Sequence, residues 1–425
     1  MPVKDWLARL ENRFRLWSIV STLVPTMGAL GLQLLTFALT ARGLGVEQFG
    51  RYTALLAIVA VGVELIGMGG ADLLVRAVSR DAVRFGAYYG NMLLSIAFTL
   101  PVAVVIGTVA ATGIMRVDVA WPLIALALLA EIGLARVSAS TELVMVAHGQ
   151  TARAGWVRVA TVVARLLAAL LFFLIWQRHD LDGWIVLLAA QSVLMMLFYA
   201  WLGARLYGMP RCVLLSAEMK SGLLFCVNQG ARAMQGNLDR MVLSRFADAD
   251  ALGVYGAASR ILQLGLFPMQ VMTRIFYPRF FQHGAHGLAA SRGYALRVAP
   301  AMFGTGVLSA AAVACAALLA PRVLGHDFAG SVEVTVGLAA ALPFIALQYP
   351  AADALTGAGR QGMRAAIYSL SAIGFGFVLV AGVWIRGVPG LIGAFVFAHF
   401  LLAAILWAAA FVCKDVSADA VPATR

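Results

Sequence analysis

Twelve apolar runs of about twenty residues, following one another with little between them, constrain this chain more than any other feature. They fall at residues 17–39, 52–75, 88–113, 120–147, 154–176, 183–206, 219–244, 253–278, 294–320, 333–356, 364–385 and 389–412. Each is long enough to cross a hydrocarbon core of about 30 Å as a helix rising about 1.5 Å per residue. Inside lipid every backbone polar group must be satisfied within the segment, and a helix does this. The fold class is therefore an all-α polytopic membrane protein of about twelve transmembrane helices. No connection between the runs exceeds about 20 residues, which leaves no room for a soluble catalytic or nucleotide-binding domain. The protein is expected to work within the bilayer, without enzyme activity and without a cofactor.

A formal net charge of +12 raises the question of nucleic acid, but the distribution of basic residues answers it differently. With the amino terminus placed in the cytoplasm, nineteen Lys and Arg fall on the cytoplasmic side, counting Arg158, Arg205, Lys220, Arg297 and Arg364 at the cytoplasmic ends of their runs, seven in the outer loops and the remaining six inside the runs. That asymmetry is the positive-inside rule, and it predicts a multi-pass membrane protein with both termini cytoplasmic. The first run is too long for a signal-peptide core and is expected to remain as an anchor. Cys212, Cys226, Cys315 and Cys413 stand singly, without metal-ligand or disulfide spacing. No metal site is expected.

The six Arg inside the runs are Arg136, Arg165, Arg232, Arg240, Arg260 and Arg274. Charge at bilayer depth is costly unless it meets a partner or a wet cavity, so such residues mark a transport or binding path. In the seventh run Asn228, Arg232, Gln235 and Asp239 fall at i, i+4, i+7 and i+11, one face of one helix. In the eighth, Ser259, Gln263, Gln270 and Arg274 fall at i, i+4, i+11 and i+15, with Arg260 beside them. The competing interpretation is packing glue between helices. In the second run Glu64, Met68, Asp72 and Arg76 share a face, and Gly67, Gly69 and Gly70 permit close approach or local unwinding. The fourth run carries Glu131, Ser138 and Glu142 with Arg136, which fits a salt-bridged packing cluster as well as a site; the tenth carries Tyr349, Asp353 and Thr356.

An internal repeat organises these runs. Adding 203 maps Arg42, Gly50, Tyr52 and Arg76 onto Arg245, Gly253, Tyr255 and Arg279. Six spans separate the copies, so both halves have the same topology, two six-helix lobes related by a parallel pseudo-two-fold axis with the substrate site between them. The predicted organisation is an amino-terminal lobe at 1–206 (an interfacial helix plus helices 1–6), a linker at 207–218, a carboxy-terminal lobe at 219–413 and a cytoplasmic tail at 414–425. The copied Arg, Gly and Tyr are expected to be structural, each tyrosine anchoring at the membrane interface.

The block Arg42-x-Leu44-Gly45-x3-Phe49-Gly50-x-Tyr52, the glycines of helix 2 and Arg76, together with Asn237-Leu238-Asp239-Arg240 and the stretch Leu252 to Arg260, resemble the bacterial polysaccharide or O-antigen flippases. These belong to the multidrug/oligosaccharidyl-lipid/polysaccharide exporter superfamily. The resemblance covers about residues 15–412. It implies two lobes forming a V, with helices 1, 2, 7 and 8 lining a cavity. It further implies translocation of a polyprenyl-diphosphate-linked oligosaccharide (an O-antigen, capsule or exopolysaccharide unit) from the cytoplasmic to the outer leaflet by alternating access.

On this reading Arg232, Arg260, Arg274, Asn228, Gln235, Gln263, Gln270 and Asp239 bind the substrate, arginine forks gripping phosphate oxygens. The first lobe's spans carry Glu64, Asp72, Glu131 and Glu142 against two Arg, and the second lobe's carry four Arg against Asp239 and Asp353. The first lobe is therefore expected to hold a coupling proton or sodium ion, at Glu64 or Asp72. A multidrug/cation antiporter of the same fold would favour acidic and aromatic cavity residues, and an integral-membrane sugar polymerase or ligase would need a large outer loop. The partners expected are the lipid-linked sugar, the bilayer and a coupling ion, with no nucleic acid.

Overall fold

The structure is a computed structural model that describes residues 2–215 and 219–412, and side chains there except those of 2–23, 72, 219–221, 224, 225, 227 and 228. Its described residues are helical with no strand. Eight helical segments are long and apolar enough to cross a membrane, and two of them are double length. The first, α1 (Pro2–Leu65), breaks at Gly45, whose φ of 72° and ψ of 170° no helix accommodates. The other, α15 (Gln361–Val412), breaks at Arg386 and Gly387. Each break divides its helix into two spans. The single spans are α3 (Phe85–Val109), α4 (Trp121–Ala147), α5 (Thr151–Leu170), α6 (Leu181–Tyr207) and α11 (Leu288–Ala317), with α13 (Ser331–Ala339) and α14 (Leu342–Gly357) making one more. The pair α7 (Met219–Gln235) and α8 (Leu238–Phe246) and the pair α9 (Ala249–Leu264) and α10 (Leu266–Gly284) complete twelve.

The repeat is visible in the backbone. Gly45 turns the chain from span 1 to span 2, and at the same offset of 203 Asp248, with ψ of 169°, turns it from α8 into α9. The tyrosines just past these turns depart from the expected role. Tyr255 is wholly buried and Tyr52 is 8% exposed, so both are core residues and neither anchors at an interface. The turn sets them facing their own unit, where burial of a large ring outweighs interfacial placement.

Two compact units divide the chain, Met1–Gly230 and Ala231–Arg425, and their border falls within α7. In the first unit span 2 leaves α-helical geometry at Gly67, Met68 and Gly69, all with positive φ, passing through a tight 3-10 turn and resuming as α2 (Gly70–Arg80). Thr99 Oγ1 accepts the stranded Gly67 N–H at 2.8 Å. The break presses against α7: a Cβ on Gly69 would lie 2.4 Å from the Gly222 carbonyl oxygen, and one on Gly222 would lie 2.1 Å from that of Met68. Just before α7 the chain is strapped to α3, the Arg211 N–H donating to Gly86 O and the Leu215 N–H to Asn91 Oδ1, both at 2.8 Å. In the second unit α14 is held by α11, Ser291 Oγ donating to Ala354 O, and by α15, Gln348 Nε2 donating to His399 O.

Candidate functional site

The polar stripe of the seventh run does not continue along one helix. Residues Gly236 and Asn237 interrupt it, Asn237 Nδ2 donating back to Ala233 O at 2.8 Å, and α8 starts with a new phase. Arg232 is exposed and Gln235 half-buried, whereas Asp239 and Arg240 are buried. Asp239 Oδ2 accepts from the Tyr255 hydroxyl at 2.8 Å, and Arg240 Nη1 donates to Asn237 Oδ1 at 3.1 Å. The break therefore withdraws Asp239 from the Arg232 face and gives it a structural partner. The side chain of Asn228 lies outside the described residues.

Since Asp239 Oδ1 has no hydrogen-bond partner among the described residues, Tyr255→Phe would remove this carboxylate's one described hydrogen bond. A bond to a charged group contributes about 1.5–3 kcal/mol. Thermal denaturation in detergent should register that loss, and an unchanged melting temperature would refute the assignment.

The second stripe crosses the joint between α9 and α10 at Gly265. Ser259 is buried and spends its hydroxyl on Gly256 O. Arg260, Gln270 and Arg274 are exposed and Gln263 is half-buried, with Arg260 Nη1 reaching Gln263 Oε1 at 3.4 Å. Neither Arg232 nor Arg274 forms an ion pair among the described residues. The second unit thus presents three arginines at its surface from segments that the sequence places in the bilayer.

A fourth arginine shares its surroundings with one of them, Arg232. Arg364, at the start of α15, donates to Asp353 Oδ1 at 3.1 Å and to Thr356 Oγ1 at 2.7 Å, with its guanidinium 5.8 Å from the Tyr368 ring centre. Arg232 lies within electrostatic reach of the Tyr349 and Tyr368 hydroxyls beside this pair. Two guanidinium groups, two phenols and one carboxylate leave a positive balance suited to an anionic oxygen-rich group. Sequence reasoning counted Arg364 with the cytoplasmic loops. The available signal was Asp353, a carboxylate inside an apolar run that requires a counter-ion.

In the first unit α4 spaces three buried charges along its length, and each finds an opposite charge on another helix. Arg165 Nη2 on α5 meets both Glu131 oxygens at 2.6 Å, and Ser192 on α6 donates to Glu131 Oε1. Arg158 pairs with Glu142, whose other oxygen accepts from the Tyr199 hydroxyl at 3.0 Å. Arg136 Nη1 stands 3.7 Å from Glu64 Oε2, just before the break in span 2. Glu64 keeps about a third of its side chain exposed (32%), against 8% and 10% for Glu131 and Glu142. It is the accessible carboxylate of the three. The Asp72 side chain lies outside the described residues.

A family model described as "Polysaccharide biosynthesis protein" matches residues 16–283, from the first span to the end of α10. The chain belongs to the polysaccharide biosynthesis protein family. No curated protein matches it. Among solved structures, this polysaccharide biosynthesis protein is similar to an inward-facing multidrug resistance MATE transporter of the MOP superfamily, at 15% identity over 92% of this chain and 97% of the other, with a TM-score of 0.71. An outward-facing MATE structure aligns at 16% identity over 92% and 94%, with a TM-score of 0.60. A MOP transporter from Pyrococcus furiosus, described as having a binding pocket of reversed polarity that suggests a different function, gives the same coverage, identity and TM-score. These likenesses place the polysaccharide biosynthesis protein in the MOP transporter fold and establish a multi-pass membrane protein of about twelve helices.

Proposed function

We propose that this protein is a flippase that moves a polyprenyl-diphosphate-linked oligosaccharide from the cytoplasmic to the outer leaflet of the bacterial inner membrane by alternating access. The observation that carries this reading is the exposure of Arg232, Arg260 and Arg274 in a transporter fold whose family is named for polysaccharide biosynthesis. A diphosphate offers oxygens that guanidinium forks bind bidentately while remaining charged when partly desolvated. Gln235, Gln263 and Gln270 supply amide donors and acceptors suited to sugar hydroxyls. A multidrug antiporter, the second reading, draws on the MATE fold; the cationic character of the second unit disfavours its cationic substrates. The pocket polarity invoked for the Pyrococcus furiosus transporter is the same kind of discriminator.

Glu64 is assigned the coupling cation. Glu64 is the most accessible of the three carboxylates paired through α4, and Arg136 at 3.7 Å is too far for a hydrogen bond that would commit it fully. Asp72 remains a second candidate on the same helix.

The test is transport in reconstituted vesicles, reading the accessibility of a fluorescent lipid-linked oligosaccharide in the far leaflet. The protein should accelerate its appearance, with polyprenyl diphosphate competing and a cationic dye not competing. Gradient-driven efflux of the dye with no movement of the lipid-linked sugar would overturn the reading. In the same assay Glu64→Gln should bind substrate but lose its response to an imposed ion gradient; an unchanged response removes Glu64 from coupling.

A further inference from the structure

A cavity of about 610 Å³ opens on the first unit beside the start of α6, away from every residue used above. That volume is within the range of small-molecule sites, about 300–1,000 Å³. Its wall is Leu123 of α4 with Val186, Leu187 and Ala190 of α6, and its rim is Trp176, Arg178, Asp180 and Asp182. From Asp182 to Ala190 the helix descends about 12 Å at 1.5 Å per residue, most of one leaflet's share of a 30 Å hydrocarbon core. The cleft is thus polar and charged at one end and apolar along the depth an acyl chain would occupy. A glycan would find no hydroxyl partners on that wall.

The rim is built to hold a fixed charge pattern. Arg178 grips Asp180 through Nε to Oδ1 at 2.9 Å and Nη2 to Oδ2 at 3.0 Å, and Asp180 also caps α6 by accepting the Gly183 N–H at 2.8 Å. The guanidinium beside it holds the Asp180 carboxyl below its ordinary range, so this carboxylate stays ionised and engaged. Arg178 keeps its Nη1 donors free of any described partner, because Asp180 uses only Nε and Nη2. Asp182, exposed two residues on, forms no ion pair among the described residues. Trp176, half exposed, supplies the amphipathic ring favoured at the membrane interface.

The geometry points to a phospholipid site specific for a primary-ammonium head group, phosphatidylethanolamine, in the leaflet facing the 177–182 turn. Its phosphate meets the Nη1 side of Arg178, its ammonium donates to Asp182, and one acyl chain lies along Leu123, Val186 and Leu187. Phosphatidylglycerol has the same single phosphate charge but offers Asp182 only neutral hydroxyls in place of a cationic donor, and phosphatidylcholine has no N–H to donate. This inference does not depend on which substrate the protein transports.

The test is native mass spectrometry of the delipidated full chain titrated with phosphatidylethanolamine, phosphatidylglycerol or phosphatidylcholine of matched acyl chains. Wild type should bind phosphatidylethanolamine about tenfold more tightly than the other two, Asp182→Asn should lose that preference, and Val186→Trp, which fills the cleft, should weaken binding of all three. Equal binding of the three lipids by wild type would overturn the proposal. So would an ethanolamine preference that survives in both variants, because the lipid would then sit elsewhere.

Discussion

Arg165→Met should cost this protein about 3–5 kcal/mol of stability, the range measured when one partner of a buried ion pair is removed. Arg165 Nη2 is bonded to both Glu131 oxygens, and Glu131 retains only 8% of its side-chain exposure. Methionine would leave an ionised or newly protonated carboxyl with Ser192 as its remaining described partner. Glu131→Gln should cost less, because glutamine keeps a carbonyl oxygen that accepts from the Arg165 guanidinium. The double variant should recover much of the loss, since two neutral side chains remove the desolvation penalty together with the attraction. Melting curves of the four proteins in one detergent test this. An Arg165→Met protein melting with wild type would mean that the pair contributes nothing.

Replacing Arg232 and Arg274 together by alanine should slow flipping about 100-fold or more, with little change in melting temperature. Each charge-assisted hydrogen bond contributes about 1.5–3 kcal/mol, and about 1.4 kcal/mol is a factor of ten. Both residues are exposed and neither is paired with a described carboxylate, so their loss leaves no buried charge behind. Arg232→Lys retains the charge and loses the planar fork, and its rate should fall between wild type and Arg232→Ala. Arg364→Ala should behave differently, lowering stability as well as transport, because it strands Asp353 at 5% side-chain exposure. The comparison separates residues proposed to touch substrate from one that organises its neighbours. Wild-type flipping by the double alanine variant would exclude the two arginines from head-group recognition.

Hydropathy carried much of the fold, because a bilayer imposes length and apolarity on every span. The repeat was legible for a related reason: Gly45 and Asp248 must each turn the chain, and their flanking residues keep one spacing. Helical periodicity misled where the helix itself ends, as at Gly236 and Asn237, since a stripe counted across a turn joins residues that face different ways. Asp239 is accordingly buried against Tyr255 while Arg232 is exposed. Pairings such as Glu131 with Arg165, or Asp353 with Arg364, depend on which helices pack together, and one sequence does not contain that information locally. The unwinding at Gly67 to Gly69 was signalled by three glycines in four positions, although the left-handed Met68 among them was not.

The polarity of α7 to α10 has a consequence for biogenesis. None of these four helices is both long and apolar enough to cross a membrane unaided, while the helices before and after them are. On an insertion scale each central arginine costs about 2.5–3.5 kcal/mol, and Arg232, Arg240, Arg260 and Arg274 fall in this stretch. A translocon releasing helices one at a time would reject these. Cooperative entry, with α7–α8 and α9–α10 partitioning as one hairpin, would offset that cost. Within the first unit Gly222, near the start of α7, already meets Met68 and Gly69, so the beginning of this stretch has its partner in place when it is made.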